Sequence, residues 1–150
     1  MNAAAGRGVL LMTYGSPASL ARSDVSAYLA RVRGGREPDP ELLDEFTRRY
    51  RVIGGSPLIE ITRAQASALS RSLGWPVDIG MRFSEPSIQA GLTSLAEAGV
   101  SDVAAIILSP QYSPLLMSGY ARAIDEAREA MAAVPPDVRI ATAWYDEPTF

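Results

Sequence analysis

Apolar positions along this 150-residue chain fall into two kinds of pattern. Three runs are short and nearly uninterrupted: Val9-Leu10-Leu11-Met12-Thr13, Val77-Asp78-Ile79-Gly80-Met81 and Val103-Ala104-Ala105-Ile106-Ile107-Leu108. Continuous apolar runs of this length read as strands covered on both faces, the pattern of a parallel sheet. A fourth run, Val138-Arg139-Ile140-Ala141-Thr142-Ala143, is more mixed and reads as a less deeply buried strand. Between the runs, apolar residues recur three and four positions apart. Ser23 or Asp24 can cap a helix carrying Val25, Tyr28, Leu29 and Val32, stopped at Gly34-Gly35. Asp39-Pro40 opens a second helix with Leu43, Phe46 and Tyr50 as its stripe. A third is expected from about Ile59 to Leu73. A fourth has Pro86 in its first turn, bears Ile88, Leu92 and Leu95, and ends at Gly99. The last runs from about Ser118 to Ala133, before Pro135-Pro136. Strands alternating with helices imply an α/β fold: an open four-stranded parallel sheet flanked by helices on both faces, joined by right-handed crossovers, with strand one ending at Tyr14.

Ligands of open parallel sheets bind beyond the carboxyl ends of the strands. Here those ends are Thr13-Tyr14-Gly15-Ser16-Pro17, Met81-Arg82-Phe83-Ser84-Glu85-Pro86 and Ser109-Pro110-Gln111-Tyr112-Ser113-Pro114. A further segment, Arg48-Arg49-Tyr50-Arg51-Val52-Ile53-Gly54-Gly55-Ser56-Pro57-Leu58, gathers arginines, an aromatic, a glycine pair and a Ser-Pro turn. Arginine grips carboxylates or phosphates bidentately, and tyrosine offers a ring face with a polar tip. The same residues have plainer readings. The arginine run is also a solvated helix face, Gly54-Gly55 a helix stop, Arg33 a cation complementing a helix dipole, and Tyr120 a packing residue.

Composition narrows the chemistry. A hydrophobic content of 47% with a net charge of −3 describes a globular chain without the basic field of a nucleic-acid binder. All fourteen basic residues are arginine, as a GC-rich genome produces. There is no histidine, which removes the commonest metal ligand and general base. The absence of cysteine excludes a disulfide framework, an iron–sulfur cluster or a thiolate zinc site. The apolar stretch from Val9 to Met12 is too short for a signal peptide's apolar region or a membrane span, so no transmembrane segment and a cytoplasmic location are expected. The closing segment Trp144-Tyr145-Asp146-Glu147-Pro148-Thr149-Phe150 reads as the start of a further helix, with Asp146 and Glu147 as its acidic first turn and Trp144 as a packing residue.

In order and spacing, several segments together resemble the N-terminal half of the ferrochelatases, and most of all the coproporphyrin type of Gram-positive bacteria. They are Val9 to Pro17, Arg33-Gly34-Gly35-Arg36-Glu37-Pro38-Asp39-Pro40, Arg49-Tyr50 through Pro57-Leu58, Gly80-Met81-Arg82-Phe83 with Pro86, Pro110-Gln111-Tyr112-Ser113, Tyr120, and Trp144-Tyr145-Asp146-Glu147-Pro148. Three departures stand out. Gly54-Gly55-Ser56-Pro57 is one residue shorter than the family's loop, Gln111 stands where many members have histidine, and Pro114 to Gly119 replaces a hydroxyl-rich stretch.

The resemblance implies that residues 1–150 are one of two Rossmann-like lobes, with the C-terminal lobe and its catalytic histidine and glutamate outside this chain. It implies porphyrin contacts at Tyr14, Arg33, Arg49, Tyr50, Ser56 and Tyr120, the arginines near the propionates, and Tyr14 also as an axial ligand to porphyrin-bound iron. No catalytic residue falls in this chain on that reading. Porphyrin (coproporphyrin III or protoporphyrin IX) and Fe²⁺ are substrates, no cofactor is tightly bound, and the partners are the tetrapyrrole and the missing lobe or a complementary chain. Two other readings stay open: a non-catalytic tetrapyrrole- or haem-binding module with Tyr14 as axial ligand, and a half-length chelatase completed by homodimerisation. The lack of histidine counts against the second.

Overall fold

The first apolar run forms β1 (Gly6–Thr13), whose last six residues are all buried. Such burial along successive residues requires cover on both faces of the strand, and the topology supplies it. The structure, a computed structural model, describes residues 6–141 and 143–149. Residues 1–5, Thr142 and Phe150, on which parts of the amino-terminal, fourth-strand and carboxyl-terminal readings fall, lie outside them. The chain continues through α1 (Arg22–Val32), α2 (Pro40–Ile53), α3 (Leu58–Leu73), β2 (Val77–Met81), α4 (Ile88–Glu97), β3 (Val100–Ile107), α5 (Pro114–Ala130) and β4 (Asp137–Ala141). The four strands make one parallel sheet in the order β2-β1-β3-β4. In register, Val9 lies beside Val77 on one side and Ala104 on the other.

The strand order reverses direction at β1. The first crossover steps to one side, and the next two step back past β1 and outward. Right-handed crossovers running in opposite directions lie on opposite faces, and the packing agrees. Leu10 and Met12 join Leu92 and Leu95 of α4 and Tyr120 and Ile124 of α5 in the larger cluster, whereas Val9 and Leu11 pack with Ala66 of α3, Ile79 and Met81. Helices α1 and α2 form a third, smaller cluster of Val25, Leu29 and Leu43 with Phe46 against it. The outer strand β4 alternates between exposed and half-buried residues, which explains its mixed composition.

Several boundaries differ from the sequence reading, each for a local reason. Strand one ends at Thr13 rather than Tyr14. Helix α1 begins at Arg22, ahead of the expected caps Ser23 and Asp24. Its N-cap is Ala21, and Ser19 organises the turn by accepting from the Ala21 N–H and donating to Asp24 Oδ2 at 2.5 Å. Val32, the last residue of α1, is exposed rather than part of the stripe. Pro86 precedes α4 instead of opening it, because Ser87 takes the N-cap and accepts from the Ala90 N–H. Helix α5 starts at Pro114, four residues before Ser118, with Ser113 as a side-chain cap and proline at N1 where no donor is needed. It ends at Ala130 rather than Ala133, because Met131 turns to extended backbone. Asp39 caps α2 as expected, accepting from the Leu42 N–H at 2.8 Å. Residues 145–149 form turns rather than a helix start. Among the described residues no helix is long and apolar enough to cross a membrane.

Helix α4 lies close enough to the sheet that Gly91 has no room for a side chain. A Cβ there would sit 2.5 Å from the Ile79 carbonyl oxygen and 2.7 Å from Leu10 Cδ1. Replacing Gly91 by alanine is therefore expected to destabilise the fold by about 1–3 kcal/mol, the range for overpacking a core, despite alanine's better helix propensity. Urea unfolding checks this; an unchanged or raised midpoint would show that α4 can move away from the sheet without penalty.

Candidate functional site

The reversal of strand order between β1 and β3 opens a crevice at the carboxyl ends of the strands, where α/β sheets bind their ligands. Tyr14 stands there, one residue beyond β1, and its side chain is 42% exposed. The segment after β2 runs beside it. The Arg82 N–H donates to the Thr13 carbonyl at 2.9 Å, the Phe83 N–H to the Tyr14 carbonyl at 3.0 Å, and the Ser16 N–H to Ser84 Oγ at 3.1 Å. Gly15 makes this close approach possible. Its φ of 92° is left-handed, and a Cβ would overlap Ser84 Oγ.

The paired loops bring three aromatic rings together. Tyr14 stacks on Phe83 with centroids 5.1 Å apart and meets the edge of Tyr120 at 6.4 Å. Arg82 lies over two of these rings, its guanidinium carbon 4.7 Å from the Phe83 centroid and 5.4 Å from that of Tyr120. Tyr120 is 1% exposed. Burial, reinforced by Tyr14, pushes its hydroxyl well above the ordinary phenol range, and Arg82 offsets this only in part.

A second group of expected residues meets beside the segment that precedes α1. Tyr50 and residues 54–56 face residues 17–20 across a cavity of about 200 Å³. Gly54, with φ of 74°, ends α2, and the Gly55 N–H returns to the Tyr50 carbonyl at 2.8 Å, so the glycine pair is the helix stop. Ser56 Oγ accepts from the Leu58 N–H at 3.3 Å as α3 begins. Tyr28 connects the two groups. Its hydroxyl donates to the Gly15 carbonyl at 3.2 Å, and both Tyr50 and Tyr14 act on it electrostatically.

The two expected arginines are held differently. Arg49 pairs with Glu45 at 2.7 Å and lies over the Phe46 ring at 5.9 Å. Arg48 first and Arg49 second hold the Glu45 carboxyl down to about 2. Arg33 caps the end of α1, and its Nε is buried without a hydrogen-bond partner. Expected residues thus gather in two sets, Tyr14 with Tyr120 and Tyr50 with Ser56.

Sequence reasoning put Arg82 and Phe83 in a strand-end loop but gave neither a role, and it read Tyr28 only as part of an apolar stripe. Glu45 was legible as a partner, standing three and four residues before Arg48 and Arg49. Trp144, expected to pack, is half-buried, and its indole N–H donates to the Ile107 carbonyl at 2.8 Å. A cavity of about 710 Å³ lies at the amino end of β3 beside residues 130–136, away from all of these groups. The described residues that line it include no aromatic ring and no cation, so the chemistry points to the carboxyl end. Among the described residues no three acidic, histidine or cysteine side chains stand together as a metal site.

Burial first, then Tyr50 and Tyr14, push the Tyr28 hydroxyl up to about 12 from an ordinary 10. An unfolded chain releases this proton near pH 10, while the folded chain keeps it until about 12. The stabilisation is therefore complete below pH 10 and is lost as pH rises from 10 to 12. Replacing Tyr28 with phenylalanine should flatten this alkaline loss, as read by denaturant unfolding across that interval. Equal slopes in both proteins would remove Tyr28 as its source.

The ferrochelatase family model matches residues 6–150. The chain is 35% identical to a coproporphyrin III ferrochelatase of Halalkalibacterium halodurans, over 95% of this chain and 47% of that protein. For the enzyme of the same name from Geobacillus thermodenitrificans the values are 35%, 95% and 46%. For that of Bacillus subtilis they are 32%, 95% and 47%. The chain thus spans about half the length of the curated relatives it matches. With a family match along all but its first five residues, the chain belongs to the ferrochelatase family.

Proposed function

We propose that residues 1–150 are the amino-terminal lobe of a ferrochelatase of haem biosynthesis, working in the cytoplasm, and that this lobe holds one face of a porphyrin while Fe²⁺ is inserted. The relatives' name favours coproporphyrin III as substrate, with protoporphyrin IX as the alternative. One observation carries the reading: the partly exposed ring of Tyr14 at the carboxyl end of the central strand, backed by Phe83 and Tyr120. A flat macrocycle laid on this end meets an aromatic face, and on this reading Tyr14 supplies the hydroxyl that approaches the metal centre.

Metal insertion requires a macrocycle held out of plane, removal of two pyrrole protons, and delivery of Fe²⁺. The first need is met by binding energy from the periphery of the ligand, applied at its centre. Arg33, with its buried and unpartnered Nε, is suited to a propionate, and Arg49 beside Tyr50 reaches one after releasing Glu45. Tyr50 and Ser56 line a cavity with residues 17–20. The second need calls for a base that titrates near neutral pH. Tyr28 and Tyr120 keep their protons there and the chain has no histidine. The acid–base step therefore falls to the portion of the family's length beyond this chain, where the resemblance puts a histidine and a glutamate.

Replacing Arg33 with alanine should weaken coproporphyrin binding by about 1–3 kcal/mol, the range for charged hydrogen bonds. Arg49→Ala should lie at the low end of that range, because its exposed pair with Glu45 is given up on binding. Both losses should shrink for the esterified porphyrin. Equal losses for acid and ester, read by fluorescence titration, would assign the arginines to structure instead.

The chain by itself is expected to bind porphyrin weakly and to insert no iron at an enzymatic rate, since half a cleft leaves one face of the ligand in water and forfeits much of about 25 cal/mol per Å² of apolar burial. Loss of free-porphyrin fluorescence with Fe²⁺ under anaerobic conditions is the assay, and the complementary half added in trans should restore turnover. Catalytic turnover by the isolated chain, abolished by Tyr14→Phe, would overturn this assignment.

A further inference from the structure

Arg82 is held at several points although no described residue forms an ion pair with it. Its backbone N–H is fixed to Thr13, and its guanidinium lies over the Phe83 and Tyr120 rings. Helix α5 passes it at Gly119, where a Cβ would overlap the guanidinium. The arginines of the exposed faces behave otherwise: Arg22 pairs with Asp44, Arg48 and Arg49 with Glu45, and Arg139 with Asp102. Among the described residues, no carboxylate or carbonyl accepts from the Arg82 side chain. Glu126 lines the same cavity of about 350 Å³ without forming an ion pair with it.

A guanidinium carries five N–H donors in a planar fork that fits a carboxylate. Ring faces stabilise the cation and hold it in place but accept none of those bonds in the fork plane. The seat therefore leaves the fork ordered and unused, beside the ring on which the ligand is proposed to lie, and an incoming carboxylate meets a side chain that needs little further ordering. We propose that Arg82 binds a peripheral carboxylate of the porphyrin on the β2 side of the crevice, and that Gly119 is the residue that lets it do so. This rests on the assignment of the chain as a porphyrin-holding lobe, and it adds a carboxylate contact beside Phe83 and Tyr120 to those expected at Arg33 and Arg49.

The test titrates the full chain with coproporphyrin III and with its tetramethyl ester, by fluorescence, in one detergent-containing buffer. Arg82→Gln should lower affinity for the acid about tenfold, the equivalent of one charged hydrogen-bonded contact, and leave the ester nearly unchanged. Gly119→Ala keeps the charge but displaces the fork, and should reproduce most of that loss. Glu126→Gln should not. The ratio of acid to ester affinity is the readout that general loss of structure does not move, and thermal unfolding of each variant accompanies it. Acid binding unchanged in Arg82→Gln, or an equal loss for acid and ester, overturns the role of Arg82 while leaving the porphyrin-holding lobe in place. A loss in Glu126→Gln as large as that in Arg82→Gln overturns it too, because the fork would then be serving Glu126. Wild-type chain that binds neither form up to the solubility limit of the porphyrin, alone and with the complementary half added in trans, sinks the lobe assignment and this inference with it.

Discussion

Backbone pairing between β1 and β2 does not stop where the strands stop. Two further hydrogen bonds, from Arg82 to Thr13 and from Phe83 to Tyr14, carry the parallel register past the last strand residues. Everything chemically notable at the carboxyl end follows from that continuation. It sets Phe83 against Tyr14, lifts Arg82 toward α5, and forces a glycine at position 15, where the two loops touch. Side chains on a regular strand alternate between faces. Past the strand end the alternation relaxes, and a ring and a guanidinium can converge on one crevice.

The arginines show how local pairing sorts like residues into different tasks. Arg48 and Arg49 share Glu45 within one turn of α2, an exposed arrangement that solvent and salt weaken. Among the described residues, Arg82 has rings in place of an acid, and Arg33 has a buried Nε with no acceptor. Cations without an internal counter-charge are the ones free to meet an anionic ligand. Cations already paired have to give up one interaction to gain another, which limits their net contribution.

The sheet was legible in the sequence because central parallel strands are apolar on both faces, and a run as short and unbroken as Val9 to Met12 suits such a strand far better than a surface helix or a loop. Parallel pairing and the two helical layers follow from the alternation with amphipathic segments. Helix ends were less legible where the capping side chain lies outside the apolar period: Ser113 starts α5 four residues early and Ser19 organises a turn that it does not cap. For the site, Tyr14 and the Gly54-Gly55 stop could be read from position alone. Arg82 and Phe83 could not, since their convergence depends on loop pairing between segments far apart in the chain. Tyr28 was hidden by its own usefulness as an apolar residue. A ring that fills a helix stripe gives no outward sign that its hydroxyl is bonded to a backbone carbonyl.

The small cluster between α1 and α2 has a mechanical consequence. It unites Val25, Leu29, Leu43 and Phe46, whereas thirteen buried residues unite β1, β3, α4 and α5. The tie from this helical pair to the sheet includes the Tyr28 hydroxyl and a long contact from Arg31 to the Phe83 carbonyl. Regions with few apolar contacts open at lower free energy than the core and exchange their amide hydrogens sooner. The helical pair that carries Tyr50 therefore opens at lower free energy than the sheet whose central strand leads into Tyr14.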